Sequence, residues 1–143
     1  MLKLHPMSSR VTCTVVVVVV AGMAAAVAPA APARLPSGKC PGRALPVSRA
    51  DLPSAKTAVL RFVAGPWAKA TEKDARGARA RAALAPQTVR GGYARIKCGR
   101  TVWRRTVVVF VRLPRMAPSA SLSSPVFYAS RTARGWLVWF QIH

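Results

Sequence analysis

Apolar positions first recur with a helical period between residues 54 and 70. Ala55, Ala58, Val59, Phe62, Val63, Trp67 and Ala70 fall on one side of a helix, and Ser54 just ahead of them is a residue type favoured at an N-cap. Gly65-Pro66 interrupts the pattern. Proline lacks the N–H of one helical bond and clashes with the preceding turn, so a kink or break is expected there. Asp74 to Ala85, rich in alanine and arginine, predicts a second helix that stops at Pro86, with Glu72 and Arg76 four apart in the acid-first order that supports helix. Gly91-Gly92 then marks a loop.

From Arg100 the period changes to two. Thr101 to Leu113 predicts a long strand with Trp103, Val107, Val109, Val111 and Leu113 on one face; Arg104, Thr106, Val108, Phe110 and Arg112 take the other. Leu113 to Ser124 reads as a Pro/Ser/Ala loop, Pro125 to Arg131 as a second strand, and Thr132-Ala133-Arg134-Gly135 as a hairpin turn. Trp136 to Ile142 is the last strand, with Trp136, Val138, Phe140 and Ile142 on one side and Leu137, Trp139 and Gln141 on the other. Seven of the ten aromatic residues lie in residues 103–143, which places the expected core on the C-terminal sheet. Two N-terminal helices followed by an antiparallel meander of at least three strands define an α+β domain, with the helices covering one sheet face.

The N-terminus carries the parts of a secretory signal. Lys3 and Arg10 are basic, Val11 to Ala28 is an apolar run of 18 residues, and small residues follow. Cleavage after Ala30 or Ala33 fits the small-x-small rule. The competing reading is an uncleaved anchor through residues 11–28, since about 20 apolar residues span a bilayer. The division expected is therefore a signal over residues 1–30, a proline-rich linker over 31–53 and a domain over 54–143, in a secreted or extracytoplasmic protein. Cys13 leaves with the signal. Cys40 and Cys98 remain, and outside the cytoplasm an isolated pair is most economically a disulfide. Without a nearby histidine or acid they do not complete a tetrahedral zinc site, so no metal or other cofactor is expected.

Charge sets the range of partners. The chain of 143 residues has 23 Lys and Arg against three acids, Asp51, Glu72 and Asp74, for a net charge of +20. After Asp74 come twelve arginines and one lysine with no carboxylate side chain. Paired-carboxylate catalysis and carboxylate-held Ca²⁺ or Mg²⁺ are thereby excluded from residues 75–143. His5 and His143 sit at opposite ends and offer little to a catalytic triad. A field of one sign draws anionic polymers or an anionic membrane surface. The candidate anion-binding residues are Arg76, Arg79 and Arg81 as a stripe on the second helix, with Arg104, Arg105 and Arg112 on the first long strand. Arginine beside aromatic residues also suits base stacking, but core filling accounts for most of these rings. Trp139 and Tyr128 are the candidates for a pocket or partner surface. Arginine outnumbers lysine 17 to 6 and Ala, Val and Pro abound, a composition that coding bias also produces.

The first helix AVLRFVAGPW, a second helix ending in LAP and the strands VVVFVRLP and VFYASRTARGWLVWFQIH, taken in this order, resemble the NTF2-like superfamily over about residues 54–143. The closing stretch Arg131-Thr132-Ala133-Arg134-Gly135-Trp136-Leu137-Val138 carries the resemblance most directly. It implies helices packed into the concave side of a curved antiparallel sheet, a cone here pared down because no third helix is evident. The chain lacks the Asp/His or Tyr/Asp pair that catalytic members place in the cone, so no active-site residue is carried over. The expected function is an exported, non-enzymatic binding or accessory protein, within an envelope complex in some relatives of this shape. The alternatives are a cationic protein binding anionic polymers or lipid headgroups, and an NTF2-like enzyme with an unrecognised pocket.

Overall fold

The computed structural model describes residues 35–120 and 122–143. A short 3-10 turn, Arg49–Asp51, opens into helix α1 (Leu52–Phe62), which winds through a π-helical turn, Val63–Trp67, into α2 (Ala68–Thr71). Strand β1 (Arg79–Leu84) follows, then two 3-10 turns, Ala85–Gln87 and Val89–Gly91, and helix α3 (Gly92–Arg104). Strands β2 (Thr106–Arg112), β3 (Val126–Thr132) and β4 (Gly135–Ile142) complete the chain. The strands pair antiparallel in the order β1-β2-β3-β4. The sheet is therefore open, with β1 and β4 as its edges.

The first helical run obeys the apolar pattern and explains how Pro66 is accommodated. Ala55, Val59, Val63 and Trp67 are all fully buried. In an ideal α-helix of 3.6 residues per turn, a strict four-residue repeat drifts about 40° per step. The wider π-helical turn resets that drift and keeps Trp67 facing the sheet, while the N–H missing at Pro66 falls within the irregular turn. The expected break is thus a bulge, and the helical run continues to Thr71. Trp67 and Phe62 meet Phe127 edge-on, at ring-centroid distances of 5.8 and 6.1 Å. The Trp67 indole N–H donates to Gln141 Oε1 at 2.8 Å, joining the helix to the last strand. Its start is fixed one turn before Ser54. The backbone N–H and hydroxyl of Ser48 both donate to the Asp51 carboxylate, and Arg131 on β3 donates to its other oxygen.

The second helix expected over residues 74–85 is corrected by the structure: residues 79–84 are β1. Alanine and arginine favour helix in isolation, but the stretch also alternates. Ala78, Ala80, Ala82 and Leu84 pack against the core under α1, while Arg79 and Arg81 point to the opposite face. Gly77, at φ +72°, turns the chain into the strand. The Glu72–Arg76 pair does not form. Arg76 instead grips Asp74 through Nε and Nη2, at 2.9 and 2.7 Å.

The loop expected at Gly91-Gly92 is the start of α3, and the strand expected from Thr101 begins only at Thr106. Ala94, Cys98 and Val102 form a stripe four residues apart that packs on Val108, Tyr128 and Phe140. Continuation of that stripe overrides the strand preference of Thr101-Val102-Trp103. Gly99, at φ +80°, breaks the helix axis between the two parts. Consequently α1 covers one face of the sheet and α3 the other. The expectation that both helices lie N-terminal to the sheet and cover a single face is corrected accordingly; the α+β class and the antiparallel meander stand.

β4 adds one irregularity. The register shifts between Tyr128 and Ala129, which pair with Phe140 and Val138 and leave Trp139 as the extra residue of a bulge. Trp139 and Phe140 then both face α3 and stack at 5.8 Å. The strict alternation expected for this strand therefore fails at Trp139.

The proline-rich stretch before α1 lies on the domain as a strap. Gly38 N–H donates to the Trp139 carbonyl, Leu45 N–H to that of Arg131, and Arg105 Nη1 to that of Ala44 at 2.8 Å. A disulfide joins Cys40 to Cys98, as the compartment argument expects, with Cα atoms 5.6 Å apart. That bond is compatible with a location outside the reducing cytoplasm. No helix among the described residues is long and apolar enough to cross a membrane. The signal or anchor reading of residues 1–30 lies outside the described residues.

Candidate anion-binding site

Pairing of the edge strand β1 with β2 brings together side chains distant in sequence. Arg79 lies opposite Arg112 and Arg81 opposite Phe110, all on the sheet face turned away from α1. Cross-strand neighbours of this kind stand about 5 Å apart at Cβ. The guanidinium of Arg81 sits over the Phe110 ring, 4.0 Å from its centroid, which holds the long side chain by a cation–π contact. With Ser124 and Val126 these residues line an open groove of about 360 Å³. Its floor is apolar and its walls are cationic.

Among the described residues, the guanidinium groups of Arg79, Arg81 and Arg112 have no hydrogen-bond or ion-pair partner. The acids that could neutralise them are engaged elsewhere. Asp74 holds Arg76 at 2.7 Å and Arg115 at 3.7 Å. Hydrogen bonds from the Arg76 side chain and backbone keep its carboxyl well below the usual carboxylate range. Asp51 is occupied by Ser48 and Arg131, and the Ser48 backbone N–H is the main cause of its lowered pKa. Glu72 lies exposed at the end of α2.

The six candidate arginines therefore divide. Arg79, Arg81 and Arg112 converge; Arg76 is paired in the loop before β1, Arg105 secures the strap, and Arg104 is exposed at the end of α3. The helical stripe of Arg76, Arg79 and Arg81 does not exist, because the last two are on a strand. The convergence could be read only in part from sequence: the Arg-Ala-Arg-Ala alternation signals a strand, but nothing local says that its partner is Arg112.

Tyr128 and Trp139 are core residues, not pocket walls. Both are fully buried. The Tyr128 hydroxyl donates to the Arg90 carbonyl at 2.7 Å, and the Trp139 indole N–H to Ser130 Oγ at 3.1 Å. Burial pushes the Tyr128 pKa up to about 12, against an opposing pull from Arg90. Trp103 also leaves the expected strand and packs with this second cluster. Among the described residues, no group of three or more His, Cys, Asp or Glu is placed to hold a metal ion.

No protein-family model, no curated protein and no solved structure matches the chain. The groove must be interpreted from its own chemistry. It offers three guanidinium groups, each able to donate two parallel hydrogen bonds to a phosphate, sulfate or carboxylate, beside an apolar floor. It offers no carboxylate, imidazole or thiol to move a proton.

Proposed function

We propose that the chain is an exported, non-enzymatic binding protein whose Arg79–Arg81–Arg112 groove receives the anionic groups of a larger polymer. One observation carries this reading: three arginines from two adjacent strands meet on one face with no acid among them. Like charges directly opposite destabilise a sheet, so an arrangement of this kind is relieved when an anion enters. The apolar floor gives an attached sugar or base a surface to rest on. Kinship with the NTF2-like domains belongs to the same proposal. The Arg131–Val138 stretch that carries the resemblance forms the β3–β4 hairpin, which supports it, whereas the position of α3 on the second face departs from the expected cone.

The test is a salt titration of binding to heparin or to a DNA oligomer. On DNA the logarithm of affinity falls with log salt at about 0.9 per phosphate contact. The variant Arg79→Gln/Arg81→Gln/Arg112→Gln is expected to lower that slope by between two and three units. Arg43→Gln/Arg61→Gln/Arg134→Gln removes the same charge outside the groove, and should leave most of the affinity. Equal losses from both triple variants would show that the binding is diffuse and overturn the groove assignment.

A further inference from the structure

A second surface, separate from the groove, combines two properties that rarely coincide. Val89, Tyr93 and Ile96, spaced as i, i+4 and i+7, lie on the outer side of α3 and of the turn that leads into it. Val89 is 96% exposed, Ile96 86% and Tyr93 46%. Arg90, Arg95, Lys97, Arg100 and Arg104 on the same segment are also exposed, with Arg95 and Lys97 at its flanks over the Trp103 and Phe140 rings, and no acid follows Asp74 in the chain. The fold holds this face firmly. Tyr128 fixes the carbonyl of Arg90, Gly91 is packed on the Ala85 backbone, and the disulfide holds Cys98.

We propose that this face of α3 is a docking surface for an anionic lipid bilayer, lying in the interface plane with Val89, Tyr93 and Ile96 directed into the headgroup region. Charge complementarity selects the occupant. A second copy would bring two basic segments with no acid between them into contact, which repels. A phosphate polymer would satisfy the cations but gain nothing from exposed valine and isoleucine. A bilayer with anionic headgroups satisfies both: its surface attracts each basic side chain, and apolar side chains are buried at the boundary with the acyl chains. Tyrosine, with an apolar ring and a polar tip, suits the same boundary. The disulfide adds continuity with the N-terminus. Cys40 lies twelve residues after the apolar run that ends at Ala28, a span of at most about 43 Å of extended chain. On the anchored alternative, the Cys98 end of the disulfide is thereby kept within about that distance of the membrane.

The experiment is flotation of the purified full chain with vesicles of phosphatidylcholine alone and with one-third phosphatidylglycerol, at low and moderate salt. Binding is expected to the anionic vesicles, weakening with salt. Val89→Ser/Ile96→Ser removes apolar surface that packs on nothing in the fold. It should lower vesicle partitioning by about tenfold or more while leaving heparin affinity and the near-ultraviolet circular dichroism unchanged. The groove variant Arg79→Gln/Arg81→Gln/Arg112→Gln should show the converse, losing heparin affinity before vesicle affinity, so failure of either site is recognisable separately. Three results would overturn the proposal: vesicle binding that is absent, vesicle binding unchanged in Val89→Ser/Ile96→Ser, or a wild-type dimer that this variant dissociates, which would make the face a contact between copies.

Discussion

Arg79 and Arg112 stand directly opposite each other across the β1–β2 ladder, and no carboxylate separates them. Opposed like charges in a sheet oppose folding by a few tenths to about 1 kcal/mol. Replacing Arg112 with Gln should therefore stabilise the protein by about 0.5 kcal/mol at low ionic strength, and added salt should erase the difference. Urea denaturation of the two proteins at low and high salt measures it. A stability gain at a proposed binding site, together with loss of polyanion affinity, is the signature of a residue retained for function.

Gly91 provides a sharper test of packing. A Cβ at this position would overlap the carbonyl oxygen of Ala85 and lie 2.7 Å from its Cα. Gly91→Ala should cost at least about 2 kcal/mol, because backbone, not a flexible side chain, must give way. Gly92 has open space at the same point, so Gly92→Ala serves as the control and should be tolerated. Thermal denaturation distinguishes them.

Removing the bond between Cys40 and Cys98 with Cys40→Ser/Cys98→Ser should lower stability by roughly 2–5 kcal/mol, since the closed loop is long. The strap should loosen first. Hydrogen exchange at Gly38 and Leu45, whose amides are bonded to β4 and β3, is expected to accelerate more than exchange in β2.

Stability should fall at both ends of the pH scale, for different reasons. Asp51 and Asp74 have lowered pKa values because their charged forms are hydrogen-bonded. Their contribution is complete above the ordinary value of 3.8 and is lost as pH falls through the lower folded values. Tyr128 behaves in the opposite sense. Its pKa rises from 10.0 to about 12, so its contribution is complete below pH 10 and disappears as pH climbs through 12. Denaturation midpoints across pH should show an acid arm that shrinks in Asp51→Asn and an alkaline arm that shrinks in Tyr128→Phe.

The parts of the fold legible in the sequence are those whose signal is local. The β3–β4 hairpin shows alternation on both sides of a short turn, and α1 shows its apolar stripe even across Pro66. β1 was hidden because six residues of Arg, Ala and Leu favour helix alone, and only burial of Ala80 and Ala82 beneath α1 reverses that preference. α3 is masked by its two glycines and a β-branched end, whereas its helicity rests on Ala94, Cys98 and Val102 meeting the sheet. The site followed the fold. Arg79, Arg81 and Arg112 were recognisable as cations, but their meeting depends on a register set by tertiary pairing. Trp139 keeps the face that alternation gives it, but that face is buried beneath the unforeseen α3; the one-residue bulge then moves Phe140 and Ile142 onto it and turns Gln141 toward α1.

The position of Arg79 and Arg81 on an outermost strand bears on colloidal behaviour. An unpaired strand edge invites another chain to continue the sheet, and basic side chains along it discourage that pairing. Two copies meeting edge to edge would crowd four guanidinium groups together, so the protein alone should remain dispersed. A polyanion that occupies the groove screens these same two residues and removes the repulsion. Mixtures near charge neutrality should therefore turn cloudy and clear again in excess polymer, a re-entrant profile that light scattering would record.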